Sequence, residues 1–100
     1  MFRSIIEFKV KPGREDDFVS AFLEAGMLAR PAEIDGFVSA ELLRATQGGA
    51  DFVVVASWSK RDAYAAWRAV SQSGAPQEAL RRLGGCIDSA REGRLFEVVR

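Results

Sequence analysis

The 100-residue sequence predicts an α+β protein of the ferredoxin-like type, with elements in the order β-α-β-β-α-β. Hydrophobic residues alternate with a period of two over residues 2–10, 37–44 and 52–58, as they do in strands that bury one face. After the first and third of these segments the period changes to three and four residues, which is typical of amphipathic helices. These patterns predict a four-stranded antiparallel sheet with the helices packed on one face.

The first strand is predicted at Phe2–Val10 and ends before Pro12, because proline has no N–H group to donate to a neighbouring strand. The first helix follows, with an apolar stripe from Phe18 to Leu28 and an acidic first turn that suits the positive end of the helix dipole. Pro31 marks its end, since the residue before a proline avoids helical geometry.

The next two strands are predicted at Phe37–Arg44 and Phe52–Trp58, joined as a hairpin by the polar, glycine-containing residues 45–51. The second of these strands is the more apolar one, which indicates a central position in the sheet.

The C-terminal half is predicted to contain a helix at about Arg61–Val70, capped by Ser59. A short helix at Gln77–Leu83 is predicted to stop at Gly84-Gly85. A last strand is predicted at Leu95–Val99.

The composition excludes several classes of function. The 14 basic residues balance the 14 acidic ones without forming a basic stripe, so no nucleic-acid partner is expected. Histidine is absent, which removes Ser-His-Asp and Cys-His catalysis and the commonest ligand of zinc and haem iron. No apolar run approaches the ~20 residues that span a bilayer, so no membrane partner is expected.

The length predicts a single domain over residues 1–100. Cys86 is the only cysteine, so an intrachain disulfide cannot form and a reducing compartment is expected. The N-terminus begins as a strand and lacks the pattern of a signal peptide, so the expected location is the cytoplasm.

The predicted sheet is apolar on both faces. Ile5 lies opposite Ile6, Leu42 lies opposite Leu43, and the valine run 53–55 supplies both sides of its strand. Helices cover only one face of such a sheet, so the other face is predicted to meet a second copy of the chain in a homodimer.

Three segments resemble the antibiotic biosynthesis monooxygenase domains. Val10–Phe18 (VKPGREDDF) resembles their first strand–helix junction, and Asp35–Val38 (DGFV) resembles their Pro-Gly-Phe turn with aspartate in the proline position. Val55–Trp67 (VASWSKRDAYAAW) resembles their most recognisable segment. The resemblance covers about residues 2–99 and implies a dimeric α+β barrel.

The superfamily implied by this resemblance is functionally mixed, because a fold does not determine a reaction. Some members oxygenate polyaromatic phenols without metal or flavin, some degrade haem, and others isomerise or break down small molecules. In the haem-degrading branch an asparagine is needed on the first strand, where this chain has Ile6, and a histidine is needed about where Gln77–Leu80 lies. Haem degradation is therefore disfavoured, and the resemblance implies cofactor-independent oxygenation of a small aromatic or quinol-like metabolite, with no cofactor and no metal.

Oxygenation of this kind needs a flat ring to be bound and its anion stabilised. Aromatic side chains can supply the walls, and an arginine such as Arg44, Arg68 or Arg81 can face the anion. The predicted catalytic residues are Trp67, Tyr64 and Glu41. The predicted substrate-binding residues are Trp58, Arg44, Phe22 and Phe8.

Two other functions stay open at this point. The chain could be a non-catalytic, small-molecule-binding or stress-associated dimer of the same fold. It could also be an isomerase or lyase of a small oxo compound, with Glu7, Glu41 or Tyr64 as the proton carrier.

Overall fold

Strand β1 (Phe2–Val10) lies inside one antiparallel sheet and is hydrogen-bonded along both of its edges in the computed structural model, which describes residues 1–100. The other elements are, in chain order, α1 (Glu15–Glu24), a 3₁₀ turn (Arg30–Glu33), β2 (Phe37–Arg44), β3 (Phe52–Trp58), α2 (Ala63–Val70), α3 (Gln77–Cys86), β4 (Ile87–Ala90) and β5 (Arg94–Glu97). The predicted α+β class and the antiparallel sheet are confirmed.

The strand order is β2-β3-β1-β4, and β5 also pairs with β1. β4 lies beside Phe8–Val10 and β5 lies beside Phe2–Ile5, so the two short strands share the fourth position of the sheet. A single strand at Leu95–Val99 was predicted for this position. β4 was missed because its sequence, Ile87-Asp-Ser-Ala90, has no alternation of apolar residues.

The helix boundaries differ from the sequence prediction in three places. α1 ends at Glu24, because Gly26 adopts a left-handed backbone with a φ of 74°. Ser59 does not cap α2; its hydroxyl donates to the carbonyl of Gly36 instead, at 3.3 Å. α3 continues through Gly84-Gly85 to Cys86, whose full burial in the core outweighs the low helix propensity of the glycines.

Alternate side chains of β1 face the helices. Phe2, Ser4 and Val10 are buried, and Ile6 and Phe8 lie partly buried between them. Around this strand the helices form two apolar clusters. The first contains Val10, Phe18, Ala21, Phe22, Ala25, Phe52, Ala79, Leu83 and Cys86. The second contains Phe2, Ala56, Trp58, Ala63, Tyr64 and Trp67.

The face of the sheet away from the helices is not covered within the chain. Ile5 pairs with Val55 across the two central strands, and Leu43 pairs with Val53, in two adjacent rows of this face. These side chains are only partly buried, and Leu43 is 43% exposed. The sheet therefore carries apolar side chains on both faces, as predicted. No helix in the structure is long and apolar enough to cross a membrane.

Ser4→Ala is expected to lower the free energy of unfolding by about 1–3 kcal/mol. The Ser4 hydroxyl accepts a hydrogen bond of 2.9 Å from the indole Nε1 of Trp58, and both groups are buried, so the alanine variant leaves a buried N–H without an acceptor. Urea denaturation measures the change. The matched control is Ser89→Ala, a strand serine that is exposed, for which a change within about 0.5 kcal/mol is expected. Equal stability of the two variants would contradict a structural role for this bond.

Candidate functional site

A cavity of about 350 Å³ lies between the helices and the sheet, where the two apolar clusters meet. This volume is within the range of small-ligand pockets. Most of its lining is apolar, and the polar lining residues share one side near the β4–β5 connection and the end of α2. The apolar side chains are Ile6, Phe8, Phe22, Met27, Val54, Trp67, Leu80, Leu83, Ile87 and Ala90; the other lining residues are Arg68, Ser71, Gln72, Gly84, Arg91, Glu92 and Gly93.

Trp67 forms the aromatic wall of the cavity. It lies one turn after Ala63 and Tyr64 on the buried stripe of α2, so the helix period itself turns its indole inward. The indole is 8% exposed, and the guanidinium of Arg30 lies over the ring at 5.1 Å from its centroid. Trp67 is therefore a buried side chain that has Arg30 packed over its ring and that lines the cavity.

Phe8 and Phe22 form a second aromatic surface in the cavity. Their ring centroids are 6.2 Å apart in an edge-to-face arrangement, which aromatic pairs prefer. The structure thus brings Phe8, Phe22 and Trp67 together, three of the seven residues predicted for the site.

Tyr64 and Arg68 form a polar pair at the edge of the cavity. They lie one turn apart on α2, where side chains four residues apart meet, and Arg68 Nη1 donates to the Tyr64 hydroxyl at 3.0 Å. Arg68 lines the cavity, whereas the buried Tyr64 ring does not. Tyr64 therefore orients the guanidinium of Arg68, the cationic group of α2 that lines the cavity.

The β4–β5 connection closes one side of the cavity with Arg91, Glu92 and Gly93. The backbone of Gly93 passes so close to α2 that a Cβ atom there would lie 1.8 Å from the Tyr64 hydroxyl and 2.9 Å from Arg68 Nη1. Only glycine permits this approach, so Gly93 lets the connection pack directly on the Tyr64–Arg68 pair.

The other predicted residues lie elsewhere. Trp58 is fully buried in the second cluster and does not line the cavity. Arg44 is exposed on β2, with its guanidinium over the Phe52 ring at 4.9 Å. Glu41 is exposed on the sheet face away from the helices, as its neighbours Ala40 and Leu42 pack against the clusters. Of the three arginines proposed for the anion, Arg68 alone lines the cavity, since Arg81 is exposed and paired with Glu78.

Sequence reasoning missed the polar residues Gln72, Arg91 and Glu92. No sequence motif marks these residues, because they reach the cavity only by the paths of the α2–α3 and β4–β5 connections. One surface group has a shifted pKa: the Asp35 carboxylate accepts a hydrogen bond from the Lys60 ammonium and attracts its charge, which raises the pKa of Lys60. This pair lies away from the cavity.

No group of three or more His, Cys, Asp or Glu side chains is arranged to hold a metal ion. Histidine, cysteine and tyrosine, the usual proximal ligands of haem iron, are all missing from the cavity lining. The cavity lining therefore offers haem iron no histidine, thiolate or phenolate ligand.

Residues 1–87 match the profile of the family described as "Antibiotic biosynthesis monooxygenase". Among solved structures, SnoaB, a cofactor-independent oxygenase from Streptomyces nogalater, is 27% identical with a TM-score of 0.70 over 99% of this chain and 93% of that chain. A mutant of MhuD with two manganese protoporphyrin IX molecules bound per active site is 25% identical, with a TM-score of 0.76 over 100% and 96% of the two chains. Protein Atu4242 from Agrobacterium tumefaciens is 19% identical, with a TM-score of 0.75 over 100% and 95%, which shows the fold alone. No curated protein matches the chain.

Gly93→Ala is expected to destabilise the protein by about 1–3 kcal/mol, because the new methyl group would overlap the Tyr64 hydroxyl. Tyr64→Phe removes that oxygen, so the double variant should recover part of the loss, with a coupling of at least about 0.5 kcal/mol in a double-mutant cycle. Denaturant unfolding of the four proteins measures it.

The matched control for this cycle is Gly84→Ala, since no atom lies within 4 Å of a Cβ built at Gly84 in α3. Alanine at this helical position should leave stability unchanged or raise it. A Gly93→Ala variant as stable as the Gly84→Ala variant would refute the close packing of the connection on α2.

Proposed function

The chain belongs to the antibiotic biosynthesis monooxygenase family, and from this premise we propose that it is a cofactor-independent oxygenase of a small, flat aromatic or quinol-like metabolite. The observation that carries the proposal is the apolar cavity of about 350 Å³ walled by Trp67, Phe8 and Phe22 with the guanidinium of Arg68 at its edge. The similarity to SnoaB supports the same reaction class.

The proposed chemistry begins with loss of a proton from an electron-rich phenol or anthrone. The resulting ring anion transfers one electron to dioxygen, and the two radicals combine to a peroxide anion. This anion takes back the proton, and the hydroperoxide loses water to leave a carbonyl group. The protein has to hold the ring flat, keep bulk water away and stabilise the anion. None of these reaction steps requires a side chain that accepts or donates electrons.

The proposed site has residues for ring binding, for stabilisation of the anion and for removal of the proton. Trp67 and the Phe8–Phe22 pair stack the ring, because aromatic faces pack well against flat ligands. Arg68 stabilises the anionic oxygen of the substrate, and Tyr64 holds its guanidinium by the 3.0 Å hydrogen bond. Glu92 is the only carboxylate among the lining residues and is the proposed proton acceptor.

We further propose that the active form is a homodimer in which the uncovered sheet faces pack on each other. The face carries both apolar groups and charges of both signs: Glu7 pairs with Val53, Glu41 pairs with Val55, and Arg3 lies in the next row, opposite Ser57. Arg3 Nη1 is buried without a hydrogen-bond acceptor in the chain. A carboxylate from a second copy would supply that acceptor, since a two-fold interface brings the same face to itself.

Oxygen consumption with a panel of anthrones and naphthols is expected for the wild-type protein. Trp67→Ala should raise KM because the stacking wall is removed. Arg68→Gln should lower kcat by about a hundredfold, since it removes the group that faces the developing anion. An oxygen electrode and product chromatography measure both effects.

The matched control is Arg81→Gln, which removes an exposed arginine outside the cavity and should leave both constants unchanged. Quenching of tryptophan fluorescence by the panel without any oxygen consumption would replace the proposal by a non-catalytic binding function. No consumption and no quenching would contradict both functions.

The dimer is expected to give twice the chain mass of 11.0 kDa in size-exclusion chromatography with light scattering. Val55→Glu should shift it towards the monomer, because a carboxylate would be buried at the centre of the interface. The control is Leu23→Glu, which places the same change on an exposed position of α1. A monomeric wild-type protein would contradict the proposal.

A further inference from the structure

We propose that Arg30 is a positioning residue that acts on the cavity through Trp67 and makes the cavity prefer the anionic form of a hydroxyaromatic ring. This inference rests on the proposed function, since it specifies the charge state of the ring that the cavity binds. It assigns a role to a residue that does not itself touch the cavity.

Arg30 is fixed by hydrogen bonds to three backbone carbonyl groups. Its Nη1 donates to Ala25 at 3.0 Å and to Ser71 at 2.8 Å, and its Nη2 donates to Val70 at 3.0 Å. The last two carbonyls belong to the C-terminal end of α2, where helices leave carbonyl groups without partners. Arg30 thus joins the segment after α1 to the end of the helix that carries Trp67.

Two glycines leave the space that Arg30 occupies. A Cβ atom at Gly26 would lie 2.5 Å from Arg30 Cδ, and one at Gly74 would lie 3.0 Å from its Nη2. These distances are shorter than ordinary contacts, so the side chain passes between two backbone segments that larger residues would separate. The three hydrogen bonds to backbone carbonyl groups then hold the guanidinium over the Trp67 ring, at 5.1 Å from its centroid.

Trp67 separates two voids. It lines the cavity and also an outer groove of about 200 Å³, and Arg30 lines only the outer groove. Arg30 therefore contacts the indole from the side away from the cavity. A ligand stacked on the inner face would complete a sandwich of cation, indole and ring.

The charge of Arg30 is not neutralised by a carboxylate. Its hydrogen bonds all go to neutral carbonyl groups, and Glu33, which lines the same outer groove, forms no ion pair with it. A cation draws the electron density of an aromatic ring towards itself. The inner face of Trp67 is then less electron-rich, and the positive charge behind it favours an anionic ring over the same ring in its neutral form.

The other charged groups that face the cavity are Arg68, Arg91 and Glu92. Their contribution to the preference for an anion is the same in the wild type and in a variant of Arg30. A comparison of these two proteins consequently isolates the effect that passes through Trp67.

The test uses para-nitro-α-naphthol, whose anion absorbs at longer wavelength than its neutral form. Spectral titration at pH values on both sides of its pKa gives the affinity of wild type and Arg30→Gln for each form. We expect the preference for the anion to fall by about two- to tenfold in Arg30→Gln, the size of one cation–π contact. Arg30→Lys keeps the charge and should retain part of the preference.

The matched control is Arg61→Gln, which removes another guanidinium that lies over a ring, that of Phe2 at 5.0 Å, outside the cavity. It should leave the preference unchanged. Should Arg30→Gln fail to fold, Arg30→Lys provides the test, because lysine lacks the planar guanidinium that lies over the indole, and a partial fall in the preference is expected.

Equal loss of affinity for both forms in Arg30→Gln would overturn this inference alone and leave Arg30 as a cap of α2. Binding of neither form to the wild type would overturn this inference together with the proposed function.

Discussion

The register of β1 between its neighbours is the constraint on which the rest of the structure depends. Because the strand is paired on both edges, its alternate side chains cannot change face without breaking two ladders at once. Phe2 and Val10 anchor the two apolar clusters at its ends, and Ser4 accepts the hydrogen bond of Trp58. The same face carries Ile6 and Phe8, so the strand that organises the core also forms the floor of the cavity.

The cavity lies between the two apolar clusters, which fill the two ends of the core. Large aromatic rings pack at both ends of β3, with Phe52 in one cluster and Trp58 in the other. Between them Ile6 pairs with Val54, and both side chains line the cavity. The volume left between the two ends of the core, about 350 Å³, is within the range of small-ligand pockets.

Much of the fold could be predicted from the sequence, because strands and helices leave a periodic pattern. The strands Phe2–Val10, Phe37–Arg44 and Phe52–Trp58 have the predicted bounds. Ile87–Ala90 could not be found, since its apolar residues, Ile87 and Ala90, do not alternate and the strand is defined by its pairing with β1.

The candidate site was predictable only where its residues belong to such patterns. Trp67, Phe22 and Phe8 lie on apolar stripes and do line the cavity, whereas the choice among three arginines required the helix orientation. Glu41 was a candidate because a strand carboxylate has two possible faces, and sequence alone does not say which face meets the helices. Glu92 and Gly93 depend on where the β4–β5 connection crosses, which no local rule determines.

Because β4 and β5 share the fourth position of the sheet, the residues Arg91, Glu92 and Gly93 that line the cavity lie in the connection between two strands. The connection over the cavity is attached at both ends to β1, through Arg91 N–H to the Glu7 carbonyl and through the β5 ladder that begins opposite Ile5. Substitutions at Arg91 or Glu92 in this connection would change the lining of the cavity while both ladders stay intact, since the ladders are formed by the residues on either side. The same scaffold can therefore diverge to admit ligands of different size without a new core.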